Sequence, residues 1–347
     1  MAKTPLKRIL NGLFVALIFT LTMISVFHGE NFRQVLAFAA TADPAYILAG
    51  IACVVAFILS ESVILHYLMR TLGTRAPFGH CCLYSFIGFF YSCITPSASG
   101  GQPMQILAMR RDRIPVAVST VVLAVVTITY KLVLVLIGCV VLIVRPRGLM
   151  QYLDPVESVM YLGLVLNVVC IAAIFLLIFD PHAVRLIVSH GLSLMNRIRP
   201  LRNSDKRTAR VERIIGQYQG SADYLRSHPH VIAHVFVITL IQRVLLFLVA
   251  WFTYQAFRLT QHSLPLIVTL QAMISVAADM LPLPGGMGVS ENLFLEIFTP
   301  IFGEDLVLPG MMICRGISYY TQLLLSAIMT LAASFVIRDK KEKGGTL

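Results

Sequence analysis

Charge is scarce in this sequence. Asp, Glu, Lys and Arg make up only 13% of its 347 residues, against about a quarter in a soluble globular domain. That excludes a chain whose surface is mostly wet. Acidic residues are the scarcer kind, 17 against 28 Lys and Arg, which leaves a formal net charge of +11. Several signatures are missing altogether. There is no C-x-x-C pair, P-loop, nucleophile elbow or dinucleotide fingerprint. The short alternating segments of a transmembrane β-barrel do not occur. The basic residues are not interleaved with a nucleic-acid module. The expectation is therefore no cofactor, no metal and no nucleic-acid partner. The seven cysteines all lie in apolar segments and read as small helix residues rather than ligands.

What is present is apolar length. Hydrophobic residues make up 57% of the chain. Six segments reach the roughly 20 residues a helix needs to cross the hydrocarbon core. They are about 9–28, 45–69, 115–144, 156–179, 230–257 and 307–336. Lipid offers no partner to an unpaired backbone group, so such runs are helices. The fold class expected is an all-α polytopic membrane protein, with 1–347 forming one transmembrane domain. The first apolar stretch follows Lys3, Lys7 and Arg8. It is longer than a signal-peptide core, so it is expected to stay as an uncleaved span.

Two further apolar regions are interrupted midway. The first runs 78–94, breaks at Thr95 to Gln102, and continues 103–113. The second runs 264–281, breaks at Pro282 to Gly288, and continues 289–300. Each break holds proline and a Gly-Gly pair, Gly100-Gly101 and Gly285-Gly286. Basic residues test how these regions sit. With the N-terminus in the cytoplasm and both regions read as re-entrant hairpins entering from opposite faces, 21 of the 28 Lys and Arg fall inside. Arg33, Arg145, Arg147 and Arg258 fall outside, and Lys131, Arg243 and Arg315 fall within spans. That is a strong positive-inside bias, and it puts the C-terminus in the cytoplasm too. The net charge is then mostly a topology signal. The cytoplasmic loop 180–229 carries nine of the basic residues, with Val211, Ile214, Ile215, Tyr218 and Leu225 at helical spacing. It reads as an amphipathic helix on the membrane surface.

Two oppositely oriented broken-helix hairpins are what an inverted repeat looks like. Non-helical backbone at membrane depth must be buried in protein or line a wet cavity. The glycines permit a sharp turn and close approach. The helix that follows each break presents free N–H groups and a partial positive charge, which suits an anion. Kinks that only allow tight packing are the alternative. Lys131, Arg243 and Arg315 each cost on the order of 2.5–3.5 kcal/mol to insert, so they are expected to face inward and be paired. Glu61, Asp279, Glu291 and Glu296 are the candidate partners. Either these are structural ion pairs, or they line a polar cavity for a phosphate-bearing lipid headgroup. The candidate substrate-binding set is Gly100, Gly101, Gln102, Lys131, Arg243, Asp279, Gly285, Gly286, Glu291 and Arg315. Histidines 66, 80, 228, 230 and 234 read as interfacial or pairing residues.

At the two breaks, Pro96 to Pro103 (PSASGGQP) and Leu281 to Glu291 (LPLPGGMGVSE), the sequence resembles the lysylphosphatidylglycerol synthase transmembrane-region family. This is the flippase-like membrane half of the bacterial multiple peptide resistance factor, a determinant of antibiotic resistance. The hydropathy layout is similar along nearly the whole chain. The family often carries an acidic-basic pair in the span after the first break; Tyr130-Lys131 stands there and keeps only the cation. The resemblance implies a bacterial inner-membrane protein that moves or binds an anionic or aminoacylated phospholipid such as lysyl-phosphatidylglycerol. In the fused relatives a separate cytosolic domain transfers the lysyl group. No such region is read in this sequence, so an enzyme is not the leading expectation. The alternatives are phosphatidylglycerol lysyltransferase activity with a separate lipid-modifying enzyme as partner, and a membrane scaffold that recruits one.

Overall fold

The computed structural model describes residues 41–95, 98–179, 216, 218–281 and 288–337. The span read at 9–28, the glycines Gly285 and Gly286, and most of the basic loop lie outside the described residues. Among the described residues every regular element is helical. Five helical stretches are long and apolar enough to cross a membrane: Pro44–Thr71, Val116–Val144, Arg147–Leu176, Pro229–Ala256 and Glu304–Ser334.

The elements follow local rules. α1, Pro44–Thr71, starts where Asp43 accepts from the Ala45 N–H at 3.0 Å and Pro44 takes the first helical position, which loses no hydrogen bond there. α2, Phe78–Ile94, begins after Pro77 and ends at the extended residue Thr95. The Thr95 hydroxyl donates to the Tyr91 carbonyl at 2.6 Å and accepts from the Gly100 N–H at 2.9 Å. That one side chain closes the turn into α3, Gly101–Arg111. α3 then lies back along α2. A Cβ built on Gly101 would stand 2.7 Å from the Gly88 carbonyl oxygen, so only glycine allows the two arms to approach this closely. At the base of the hairpin, His80 Nδ1 meets Asp112 Oδ2 at 2.6 Å, and the Tyr84 hydroxyl donates to the same oxygen. The far ends therefore come together. With 11 residues, α3 rises only about 17 Å, short of the roughly 30 Å hydrocarbon thickness.

α4, Val116–Val144, and α6, Glu157–Phe179, are joined by a short helix, α5, Arg147–Leu153, and one 3₁₀ turn. Sequence periodicity gave no sign of α5. α7 is Pro229–Ala256. Ahead of it, the helical turns at 218–227 bury Tyr218, Ala222 and Leu225, with Tyr218 and Leu225 packed in one cluster with Leu68 and Val231.

The second hairpin is α8, Leu264–Ala278, and α9, Val289–Phe302. Its ends also meet. The His262 N–H donates to the Tyr254 hydroxyl at 3.1 Å just before α8, and Phe302 at the end of α9 packs edge-on to Tyr254 at 5.6 Å. The last crossing is α10, Glu304–Arg315, and α11, Thr321–Val336, joined by a π-helical turn at Gly316–Tyr320.

The order span, hairpin, span thus occurs twice, as α1–α4 and as α7–α11. The packing is reciprocal. α1 lies along α7, the first arm of hairpin one lies on α11, and the first arm of hairpin two lies on α4 and α6. Small residues make these approaches close. A Cβ on Gly163 of α6 would sit 2.4 Å from the Val276 carbonyl oxygen and 2.6 Å from Ala277 Cα, both backbone atoms of α8. Backbone cannot step aside as a side chain would, so Gly163→Ala is expected to destabilise the protein by about 1–3 kcal/mol. Gly148→Ala, with nothing within 4 Å of the added atom, is the control. Equal thermal melting of the two variants in detergent would refute the close contact.

Candidate functional site

Hairpin one, the end of α8 at Asp279, the π turn and the middles of α1, α4 and α7 line a cavity of about 360 Å³, a size at which small-molecule sites occur. A second cavity of about 230 Å³ abuts it. The two share Ala98, Tyr130, Arg243, Asp279, Tyr319 and Gln322 as a common wall. Arg243 is therefore the cation that faces both.

Three cations and three carboxylates gather here, and they are arranged unequally. Lys131 of α4 donates to Asp279 Oδ2 at 2.6 Å, to Asn167 Oδ1 at 3.3 Å and to the Met280 sulfur at 2.9 Å. Both charged side chains are largely buried, 8% and 15% exposed. Asp279 caps the C-terminal end of α8, so Lys131 also meets the negative end of that helix, where a cation is favoured. Asn167 is held in turn through its amide, which donates to the Gly163 carbonyl at 2.9 Å. Arg315, at the start of the π turn, donates through Nε to Glu291 Oε1 at 2.7 Å and through Nη2 to Ser290 at 3.0 Å. Glu291 lies in the first turn of α9, the end of a helix that favours an acid.

Arg243 differs. Its Cζ stands 3.6 Å from the ring centroid of Tyr130 and 5.1 Å from that of Phe57. Among the described residues it forms no salt bridge, and its buried Nε has no hydrogen-bond partner. Every span cation was expected to be paired with an acid, and for Arg243 that is corrected. The acid nearest in kind, Glu61 of α1, is engaged elsewhere: its Oε1 accepts from Gln105 Nε2 at 2.7 Å. Aromatic faces take the place of the carboxylate around the guanidinium.

Two other buried acceptors, Gln271 Oε1 and Glu291 Oε2, also lack a partner among the described residues. Gln271 lines the smaller cavity beside Arg315. Most buried polar atoms find a partner within the protein or in water. One unpartnered donor, Arg243 Nε, and one unpartnered acceptor, Gln271 Oε1, lining adjoining cavities describe a site that a polar ligand would complete.

Of the sequence candidates, the structure brings Gln102, Lys131, Arg243 and Asp279 to the larger cavity and Arg243, Asp279 and Arg315 to the smaller one. Gln102 sits in the first turn of α3 and bonds the Thr127 hydroxyl. Glu291 joins through Arg315. Gly100 and Gly101 shape the hairpin tip beside the cavity. Glu296, offered as an ion-pair partner, is exposed on α9 and forms no salt bridge among the described residues. Its helix turns that face away from the cations. Gln105, Tyr130, Gln271 and Tyr319 were not singled out as site residues. Gln105 had a legible signal, since it lies one turn after Gln102 on the same short helix. Room for its amide comes from Gly88, where a Cβ would stand 2.2 Å from Nε2. Tyr319 links the last crossing to hairpin one: its hydroxyl donates to the Cys93 carbonyl at 2.9 Å, and Arg315 lies 5.3 Å over its ring. The π turn that sets its direction left no mark in the apolar pattern.

Among the other polar groups, His66 Nδ1 meets the Ala76 carbonyl oxygen at 3.0 Å and the Tyr67 hydroxyl meets His234 Nδ1 at 2.9 Å. All seven cysteines are free thiols on the helices.

Compared with known families, the chain matches the lysylphosphatidylglycerol synthase TM region over residues 9–326. That is nearly its whole length, and the chain belongs to this family. No curated protein matches it.

Proposed function

We propose that this member of the lysylphosphatidylglycerol synthase transmembrane-region family is a phospholipid translocator, with the headgroup passing through the paired cavities between the two hairpins. One observation carries the reading. Among the described residues Arg243 is a buried cation with no salt bridge and an unpartnered Nε, placed on the wall common to both cavities. A buried donor without an acceptor is costly, and a phosphate oxygen would supply one. Gln102 and the start of α3 face the same space, and Lys131–Asp279 and Arg315–Glu291 tie the hairpin-two arms to the crossings on either side. Lysyl-phosphatidylglycerol and phosphatidylglycerol are the candidate cargoes. The amine of an aminoacyl headgroup would meet the unpartnered acceptor of Gln271, which lines the smaller cavity. The basic-residue distribution supports a bacterial inner-membrane location with both termini cytoplasmic, and two hairpins on reciprocal spans suit alternating access.

The test is a leaflet-accessibility assay. Purified chain in vesicles containing labelled phosphatidylglycerol or lysyl-phosphatidylglycerol should move label between leaflets faster than empty vesicles do. No movement of any anionic or aminoacylated lipid would overturn the reading. The family description includes a synthase, so the same preparation given lysyl-tRNA and phosphatidylglycerol reads the transferase alternative directly.

A further inference from the structure

The three acids of the site are not equivalent. Asp279 is bonded to Lys131 at 2.6 Å and Glu291 to Arg315 at 2.7 Å. Glu61 is buried, 9% exposed, and the hydrogen bond that holds it comes from the neutral amide of Gln105. It lines the same cavity as Arg243, yet the two form no salt bridge. Around Glu61 the other elements packed on α1 bring Arg243 from α7, Lys131 from α4 and Tyr319 from the π turn into the cavity wall. Hairpin one adds the amide of Gln105 and the Cys93 thiol, and α11 adds the neutral Gln322. Asp279, from the end of α8, is already neutralised by Lys131.

Consider what a phosphate does to this balance. With the cavity empty, Glu61 and Arg243 together carry no net charge. A phosphodiester that takes Arg243 brings one negative charge and removes the cation that balanced Glu61. One uncompensated negative charge then sits in a site walled by protein, where it is poorly screened. Asp279 and Glu291 cannot relieve it without breaking an ion pair. Glu61 can, by adding a proton at Oε2, the oxygen not held by Gln105. Carboxylate plus proton gives the neutral carboxylic acid, and the occupied site returns to zero net charge.

Building on the lipid reading above, we propose that Glu61 is a proton-binding site loaded together with a net-anionic headgroup on Arg243, so that the chain moves one proton with each anionic lipid such as phosphatidylglycerol, whose phosphate has no amine of its own to balance it. The sign follows from linkage. If binding takes up a proton, affinity rises as pH falls, by up to about tenfold per pH unit. A proton gradient then drives lipid in the direction the protons run.

The test titrates short-chain phosphatidylglycerol, and in parallel inorganic phosphate, into the purified full chain in weak buffer, with a pH indicator reading proton uptake. The wild type is expected to take up about one proton per lipid bound, and Glu61→Gln, which keeps an oxygen for Gln105, is expected to bind lipid with none. In vesicles at clamped potential, a pH gradient should speed lipid movement by the wild type and leave Glu61→Gln unchanged. Lipid binding by the wild type without proton uptake overturns the proton site and leaves the lipid reading standing; that arm needs no variant to fold. Equal uptake by Glu61→Gln does the same. Uptake with inorganic phosphate that Glu61→Gln abolishes, with no response to lipid, keeps the proton site and overturns the lipid as cargo. Binding of neither ligand overturns both.

Discussion

Arg243→Ala slows lipid movement between leaflets roughly ten- to a hundredfold while the protein melts close to the wild-type temperature. The two halves of this expected result come from the same observation. A buried donor without a partner has lost its water and gained no hydrogen bond, so its removal takes away little favourable energy. What is lost is the contact with Tyr130 and Phe57, of the order of 0.5–2 kcal/mol for a cation over aromatic faces, offset by relief of the desolvated charge. Glu61, whose charge Arg243 balanced, keeps its bond from Gln105 and avoids a stranded charge by taking a proton at its other oxygen. For a bound phosphate the balance reverses. A charge-assisted hydrogen bond contributes about 1.5–3 kcal/mol, so losing the guanidinium should lower headgroup affinity by roughly ten- to a hundredfold, and the rate of movement with it. Arg243→Lys should recover part of the affinity, because the charge returns but the forked donor does not. Leaflet-accessibility rates and thermal melts on the same three proteins check it. Wild-type transport by Arg243→Ala would remove the central argument for a phosphate site. Loss of the fold in that variant would make Arg243 a structural residue.

Arg243 and its neighbours separate what is legible in the chain from what only packing creates. The crossings are legible, because apolar length is a property of the chain itself: the segment read at 115–144 is α4, Val116–Val144, and the one at 230–257 is α7, Pro229–Ala256. The first hairpin is legible too, since Gly100-Gly101 marks a turn that no continuous helix would make. Lys131, Arg243 and Arg315 stand out because charge is costly in an apolar run. Who pairs with whom is not legible. Lys131 and Asp279 are 148 residues apart, and their contact exists because the C-terminal end of α8 lands on the middle of α4. Nothing in the spacing of either segment encodes that landing. For the same reason Glu61 reads in sequence as one of four interchangeable acids. Only the packing of Gln105 into the space left by Gly88 takes it away from Arg243. Tyr130 stands out in sequence only as the neighbour of Lys131. In the structure it supplies the face on which the unpaired arginine rests.

The Lys131–Asp279 pair leads to the opposite expectation from Arg243. Lys131→Met leaves Asp279, 15% exposed, with its counter-ion gone, and it also strips the cation from the Asn167 carbonyl oxygen. Breaking one side of a buried ion pair costs about 3–5 kcal/mol, a large share of the roughly 5–15 kcal/mol by which an ordinary protein is stable. Replacing both partners, Lys131→Met with Asp279→Leu, removes the stranded charge, and such swaps are often neutral or stabilising. The double variant should therefore regain most of the melting temperature lost in either single one, a coupling that a double-mutant cycle measures directly. It should still fail to move lipid, because both side chains line the larger cavity with Arg243 and the wall that faced a headgroup has become apolar. Recovery of stability without transport separates this pair from a purely structural clip between α4 and hairpin two. Recovery of both would make it such a clip and leave Arg243 and Glu61 as the working pair of the site. No recovery of stability would mean that the two charges do not act as one unit, contrary to the 2.6 Å bond between them.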